Sequence, residues 1–283
     1  MTWRELLNEG KTSLKAAGIS DHDTDAFLLL SYVSGYDRGR YMLHEREHVP
    51  DDRADAFRVC IEKRESHIPL QHITGVQNFY GYDFLVTPDV LIPRQETEEL
   101  AELAISFALN ISGVCNILDL CTGSGCIAVT VKKELDKRHI CSYAAASDIS
   151  DKALFIAGKN AEKNKARITF IKSDMFENID GRFDIIISNP PYIPTDDIYG
   201  LDPEVKDCDP WEALDGGQDG LLYYRIIAEE AKAHLNDHGL ILLEIGYDQG
   251  SRVAEIFSNK GFPDISIRKD ISGNDRFAVI KMP

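Results

Sequence analysis

Long apolar runs and closely paired cysteines are both missing from this sequence. No stretch reaches the roughly 18 consecutive apolar residues that a membrane-spanning helix needs. The segment Met1–Glu5 lacks the basic and then apolar pattern of a signal peptide. None of the six cysteines belongs to a C-x-x-C pair, and the eight histidines show no spacing typical of metal ligands. We therefore expect a cytoplasmic protein with reduced thiols, no metal site and no contact with membranes.

Basic residues are scarce as well. The chain has 31 lysines and arginines against 47 acidic residues, which gives a net charge of −16. Because a surface that binds phosphates needs clustered lysine and arginine, this balance argues against direct binding of nucleic acid. It favours a protein or a small molecule as the substrate.

The segment 1–75 has the apolar spacing of helices. Thr2 and Glu5 form a capping-box pattern ahead of a first helix. Ser20 is placed to open a second helix and Gly35 to end it. These signals predict a small, all-helical N-terminal domain.

Residues 76–95 and 96–283 differ from that segment and from each other. The first is aromatic and β-branched with a turn signal at Gly81, which predicts a hairpin linker between two domains. The second alternates strands with helices, which predicts an α/β doubly wound sheet. Its predicted strands are 117–120, 143–147, 168–172, 183–188, 240–245, 264–268 and 277–281.

A glycine-rich loop follows the first of these strands and opens a helix. Glycines there let the backbone approach a ligand closely. Asp148, about 23 residues beyond Gly125, ends the next strand, where a carboxylate can accept both hydroxyls of a ribose. The loop lacks the complete G-x-G-x-x-G spacing, and no Gly-Lys-Ser/Thr follows. It therefore favours a nucleoside without a pyrophosphate over NAD or ATP, with a plain tight turn as the alternative. The candidate cofactor-binding residues are Asp119, Cys121, Thr122, Gly123, Ser124, Gly125 and Asp148.

A second acidic position follows the strand 168–172. Asp174 stands in the segment Ser173-Asp174-Met175-Phe176, where a carboxylate can reach the exocyclic amine of adenine. Such a residue can equally cap a helix or a turn. Asp174 and Met175 are therefore further candidates for the cofactor site.

The motif Asn189-Pro190-Pro191-Tyr192 directly follows the apolar strand 183–188. We expect it at the carboxyl edge of the sheet, where α/β folds bind ligands, rather than as a turn that only ends a strand. The Asn189 side-chain oxygen and the Pro190 carbonyl can each accept one N–H of a planar amide or amine. Tyr192 offers a flat face, and the prolines restrict φ and so preorganise the acceptors. The pattern predicts methylation of such a nitrogen by positioning, without a strong base.

With these motifs the chain resembles the HemK/PrmC family, the protein-(glutamine-N5) methyltransferases of peptide-chain release factors. The resemblance extends over nearly the whole chain. It includes five further segments: Pro69–Gly75, Val90–Glu98, Ala213–Leu221, Glu244–Gly246 and Lys269–Arg276. Cys121 stands where the family usually has glycine, Gln95 where it usually has proline, and His72 where tyrosine is common.

The resemblance implies a fold, a cofactor and a substrate. The fold is a seven-stranded, Rossmann-like methyltransferase sheet with one antiparallel strand, preceded by a helical domain that we expect to recognise the release factor. The cofactor is S-adenosyl-L-methionine, held by Cys121–Gly125, Asp148, Met175 and Asn189. The substrate is the glutamine side chain in the Gly-Gly-Gln motif of class I release factors. The residues that would bind this side chain are Asn189, Pro190, Pro191 and Tyr192.

Two other functions are compatible with parts of the pattern. The same tetrapeptide suits the exocyclic amine of adenine, which an adenine-N6 methyltransferase would flip out of a nucleic acid, but the acidic charge disfavours this function. The second alternative is a cofactor-binding scaffold without enzymatic activity. The intact motif at 189–192 disfavours it, and a methyl-transfer assay separates the two.

Overall fold

The structure is a computed structural model that describes residues 1–282. The chain divides into two compact units. One consists of Met1–Val76 together with Asp202–Cys208, and the other of Gln77–Leu201 together with the chain from Asp209 onward. Among the described residues, no helix combines the length and the apolar character needed to cross a membrane.

The first unit is helical. Its helices before residue 76 are α1 (Trp3–Ala16), α2 (His22–Ser34), α3 (Arg38–His44), α4 (Asp51–Glu65) and α5 (Leu70–Thr74). The capping box at the start of α1 is confirmed, because Thr2 accepts from the Glu5 amide and Glu5 accepts from the Thr2 amide. The predicted start of α2 at Ser20 is wrong: the helix begins at His22, after an Asp21 cap whose side chain makes no capping hydrogen bond.

An arginine lies inside this helical unit. Arg64 is only 5% exposed, and its guanidinium donates to the carboxylates of Asp25 (2.7 Å) and Glu204 (2.8 Å). A buried guanidinium requires such partners, since an uncompensated buried charge is strongly destabilising. Glu204 therefore contributes to this unit from a segment that is far away in the sequence.

A two-stranded hairpin follows, formed by β1 (Val76–Phe79) and β2 (Tyr82–Leu85). Its turn residues Tyr80 and Gly81 both have positive φ, at 53° and 77°. Two-residue hairpin turns of this kind match the twist of the flanking strands. The hairpin and its turn at Gly81 are therefore as predicted.

The remaining elements build the second unit, apart from α9. In chain order they are α6 (Gln95–Ala108), β3 (Cys115–Leu120), α7 (Cys126–Lys137), β4 (Ser142–Asp148), α8 (Asp151–Asn164), β5 (Thr169–Lys172), β6 (Phe183–Ser188), a 3₁₀ turn (Thr195–Gly200), α9 (Pro203–Lys206), α10 (Trp211–Leu214), α11 (Leu222–Glu230), a 3₁₀ turn (Ala231–His234), β7 (Leu235–Glu244), α12 (Gly250–Asn259), β8 (Asp264–Lys269) and β9 (Asp275–Lys281).

These strands form one seven-stranded sheet in the order β5-β4-β3-β6-β7-β9-β8. The first five are parallel, and β9 runs antiparallel to both of its neighbours. Successive residues of β6 pack into two separate apolar clusters. Ile186 belongs to one cluster, and Ile185 and Ile187 belong to the other. Both faces of the sheet are therefore covered at this strand, which explains its three consecutive isoleucines. The predicted fold class is confirmed.

The strand order brings the site segments together. The last residue of β3, Leu120, pairs with Ser147 of β4 on one side and with Ser188 of β6 on the other. The strand order reverses at β3, and such a switch point opens a crevice at the carboxyl ends of the strands. The glycine-rich loop, Asp148 and the motif that begins at Asn189 all start from this edge.

Candidate active site

A cavity of about 700 Å³ opens at this carboxyl edge. Volumes of 300–1,000 Å³ are typical of small-molecule sites. The cavity wall contains seven of the residues selected from the sequence: Cys121, Gly123, Asp148, Asp174, Met175, Asn189 and Pro191. The wall does not include six others, which are Asp119, Thr122, Ser124, Gly125, Pro190 and Tyr192.

The glycine-rich loop after β3 has an irregular backbone. Gly123 and Gly125 have positive φ (54° and 78°), and so does Cys121 (57°). A Cβ at position 125 would lie 3.0 Å from the Cβ of Ala157, so glycine is required there for packing against α8. Cys121 adopts the left-handed conformation although a side chain there costs about 1–2 kcal/mol. The loop thus has the shape expected for glycine at position 121, with a thiol added to the cavity wall.

Asp119 lies beneath this loop rather than on the cavity wall, and it is fully buried. Its Oδ2 accepts from the hydroxyl of Thr122 (2.6 Å) and from the amide of Ala128 (3.1 Å). Its Oδ1 has no hydrogen-bond partner among the described residues. Burial raises the pKa of Asp119 to about 7, against the two hydrogen bonds that lower it. The geometry indicates that Asp119 fixes the loop.

Asp148 lies at the end of β4 with one carboxylate oxygen toward each neighbouring loop. Oδ2 accepts from the Gly123 amide and Oδ1 from the Ser150 amide, both at 2.9 Å. Burial raises the pKa of Asp148, and these backbone donors act in the opposite direction. Each carboxylate oxygen can accept a second hydrogen bond. The carboxylate is therefore held in place and can still accept two hydroxyl groups from a ligand.

The segment after β5 forms the facing wall. The Ser173 hydroxyl donates to the Met175 carbonyl (2.9 Å) and accepts from the Asn178 amide (3.0 Å), which holds Met175 at a positive φ of 46°. The sulfur of Met175 lies 3.8 Å from that of Cys121. Asp174 is exposed on the cavity wall. This wall offers an apolar surface beside a carboxylate, which suits an adenine ring and its amine.

The motif after β6 forms the third part of the site. Asn189 is half-buried on the cavity wall, and its side-chain nitrogen donates to the Thr97 hydroxyl at 3.4 Å. Pro190 and Pro191 are buried. The carbonyl of Tyr192 accepts from the Gln249 side chain at 2.9 Å. The turn is therefore anchored from α6 at its start and from the segment before α12 at its end.

Sequence reasoning assigned no role to the glycines of Ala213–Leu221, and the structure explains two of them. A Cβ at Gly216 would lie 2.8 Å from the Tyr192 Cα, and one at Gly220 would lie 2.4 Å from the Tyr192 carbonyl oxygen. The Gly216 amide also donates to the Ile193 carbonyl (2.8 Å). This segment packs directly on the backbone of the motif. Tyr223, on the cavity wall, was missed entirely because it stands in an ordinary helical pattern.

Comparison with known proteins agrees with this description. Two family models match the chain: the PrmC N-terminal domain over residues 5–75 and the Methyltransferase small domain over residues 103–198. The catalytic domain of hMettl16, in complex with MAT2A 3'UTR hairpin 6, superimposes with a TM-score of 0.56 at 17% identity and 82% coverage of each chain. That likeness shows the methyltransferase fold alone.

Two relatives carry the family assignment. The release factor glutamine methyltransferase of Agrobacterium fabrum is 42% identical over 277 residues, which cover 95% of this chain and 94% of that protein. The protein of the same name from Geobacter sulfurreducens is 40% identical, with 97% and 95% covered. The resemblance drawn from the motifs is thus confirmed. Identity at this level over nearly the full length of both proteins shows that the chain is a methyltransferase enzyme and belongs to the release factor glutamine methyltransferase family.

Proposed function

We propose that this protein transfers a methyl group from S-adenosyl-L-methionine to the side-chain amide nitrogen (N5) of the glutamine in the Gly-Gly-Gln motif of class I release factors. The observation that carries the proposal is the common cavity of the Asp148 loop and the Asn189 turn. The nucleoside site and the amide-orienting group would then both border a single bound cofactor. Family membership supplies the class of substrate.

The residues of the cavity suit the cofactor. Asp148 retains two acceptor sites for the ribose hydroxyls, and Asp174 is placed to accept from the adenine amine. Met175 and Tyr223 provide apolar surface beside them. When bound, S-adenosyl-L-methionine supplies a sulfonium methyl group, whose transfer forms a nitrogen–carbon bond, breaks the carbon–sulfur bond and releases one proton.

The protein's own task is to orient a weak nucleophile. An amide nitrogen is delocalised into its carbonyl, so its two N–H bonds must be held while its electrons face the methyl group. The Asn189 side-chain oxygen and the Pro190 carbonyl would accept these two N–H groups, and Tyr192 would support the planar amide. Positioning within a fixed site supplies most of the rate in such a reaction, and water takes the proton.

We further propose that the helical unit binds the body of the release factor. It has its own core and its own family model over residues 5–75, and Met42 and Leu43 of α3 are 70% and 81% exposed. Replacing both with serine should raise KM for the intact factor and leave turnover of a free Gly-Gly-Gln peptide unchanged. The control is Tyr143→Ser. Tyr143 is an exposed residue at the amino end of β4, whereas the cavity lies at the carboxyl ends of the strands. An unchanged KM for the factor would exclude this role.

One experiment tests the reaction itself. The protein is incubated with S-adenosyl-L-methionine and an unmodified release factor, and peptides are mapped by mass spectrometry. We expect a mass increase of one methyl group on the glutamine of Gly-Gly-Gln and none when that glutamine is replaced with alanine. A methyl group on another residue, or transfer only to adenine in added RNA or DNA, would contradict the proposal.

A further inference from the structure

Two buried side chains connect the motif at 189–192 to the interior of the second unit. The Thr97 hydroxyl donates to the Glu244 carboxylate at 2.6 Å and accepts from the Asn189 side-chain nitrogen at 3.4 Å. We propose that Thr97 and Glu244 are positioning residues that fix which end of the Asn189 amide faces the substrate. The inference rests on the proposed function, because it assigns the Asn189 oxygen to the target nitrogen.

The direction of these hydrogen bonds follows from the available donors. An ionised carboxylate only accepts, so the single hydrogen of the Thr97 hydroxyl is committed to Glu244. The hydroxyl oxygen then offers only lone pairs to Asn189. An amide presents either a donor NH₂ or an acceptor oxygen, and only the NH₂ can bond here. The side-chain oxygen of Asn189 is thereby directed away from Thr97.

Burial makes this arrangement effective. Thr97 and Glu244 are 3% and 1% exposed, so water does not compete for their hydrogen bonds. Burial raises the pKa of Glu244, and the Thr97 hydroxyl and the guanidinium groups of Arg276 and Arg94 oppose that shift. Arg276 is held close by, since it donates to the carbonyl of Ile245 at 3.3 Å. The net shift is upward, so the ionised form, on which the direction of these hydrogen bonds depends, is favoured at alkaline pH.

The two residues are also fixed by their own elements. Thr97 is in the first turn of α6 and Glu244 is the last residue of β7. The Glu244 backbone pairs with Phe277 of β9, and its carbonyl accepts from the buried Tyr224 hydroxyl at 2.9 Å. The chain of hydrogen bonds from Glu244 through Thr97 to Asn189 therefore starts from a rigid part of the sheet and ends at the cavity. It gives a role to the segments Val90–Glu98 and Glu244–Gly246, to which the sequence assigned none.

Removing the hydroxyl without changing the shape gives the direct test. Thr97→Val is nearly isosteric, and Thr97→Ser keeps the hydroxyl. Single-turnover methyl transfer to an intact release factor is measured at pH 8 with saturating cofactor and substrate. We expect Thr97→Val to lower the rate about tenfold, as the loss of one orienting hydrogen bond implies, and Thr97→Ser to restore most of it. Cofactor affinity by calorimetry should stay within twofold for both.

A second background separates orientation from packing. If Thr97 acts through the Asn189 amide, Thr97→Val should have no further effect in a protein that already carries Asn189→Ala. Should the valine variant fail to fold, Glu244→Gln replaces it, since the glutamine NH₂ can donate to the Thr97 oxygen and release its hydroxyl. Equal losses in both backgrounds would show that these residues act by packing alone and would overturn the inference.

The outcomes also separate this inference from the function on which it rests. If wild-type protein methylates the factor and Thr97→Val transfers within twofold of its rate, the positioning role is wrong and the proposed function stands. If wild-type protein transfers no methyl group to the factor, the proposed function is wrong and this inference falls with it.

Discussion

Replacing Asp148 with alanine tests the cofactor half of the site. The carboxylate accepts one backbone amide on each oxygen, from Gly123 and Ser150. One further acceptor position remains on each oxygen for the two ribose hydroxyls. The substitution removes all four positions, so it weakens the cofactor site and frees two loop amides.

The structure sets the size of the effect. Hydrogen bonds to a charged group contribute about 1.5–3 kcal/mol, which corresponds to roughly a 10- to 150-fold loss of affinity at about 1.4 kcal/mol per factor of ten. The freed amides of Gly123 and Ser150 limit any further cost, because this edge of the loop borders the cavity and water can replace the carboxylate. We therefore expect a loss inside that range and a protein that remains folded.

Isothermal titration calorimetry with S-adenosyl-L-methionine measures the loss, and a thermal unfolding curve confirms the fold of the variant. Asp151→Ala is the matched control. Asp151 is an exposed carboxylate three residues further on, paired with Lys172, and it is not part of the cavity wall. We expect the Asp151→Ala variant to bind S-adenosyl-L-methionine with the affinity of wild type. A dissociation constant for Asp148→Ala within threefold of wild type would refute the ribose assignment.

Three further predictions concern other parts of the molecule. Asn189→Ala should slow single-turnover transfer about 10²–10³-fold, as expected when one preorganised contact is lost, and Asn189→Asp should be less affected; a rate within threefold for alanine would exclude the orienting role. Arg64→Met should destabilise the helical unit by about 3–5 kcal/mol, since it leaves Asp25 buried without its guanidinium. The control Arg58→Met, which removes an exposed pair with Glu9, should lower the free energy of unfolding by less than about 1 kcal/mol. Hydrogen exchange of the amides in α1–α4 measures both effects, and equal protection in Arg64→Met and Arg58→Met would contradict the prediction. Burial raises the pKa of Asp119 to about 7, so the contribution of this group to stability is fully present below about pH 4 and is lost as the pH rises through 7. Asp119→Asn should therefore show a smaller difference than wild type between the free energies of unfolding measured in urea at pH 5 and at pH 8. Equal differences in the two proteins would contradict this prediction.

The sequence predicted the central strands of the sheet well because they are buried on both faces. The strand Phe183–Ser188 was predicted with the bounds it has, since its three consecutive isoleucines, Ile185–Ile187, show no helical periodicity. The strand β7 begins at Leu235, five residues before the predicted start at residue 240. The prediction missed these residues because Asn236, Asp237 and His238 are polar and interrupt the apolar pattern. The apolar spacing over 221–234 predicts a single helix, but the structure ends that helix at Glu230 and continues with a 3₁₀ turn.

Short helices and long-range contacts were beyond local patterns. The helix α3 has seven residues and α5 has five, too few for an apolar period to be recognised. The hydrogen bond from Thr97 to Glu244 joins residues 147 positions apart in the sequence. Each residue reads locally as an ordinary member of a helix or a strand. Only the folded sheet shows that both stand behind the Asn189 turn.

The site itself depends on backbone conformations that its own residues do not favour. Cys121 and Met175 both hold positive φ values and bring their sulfurs to within 3.8 Å of each other. Such strain persists only where the surroundings over-determine the backbone. Here Asp119 fixes one loop from below, and the Ser173 hydroxyl fixes the other. The residues that shape the cavity are thus held by neighbours outside it, and for that reason a motif locates this site more reliably than local propensity does.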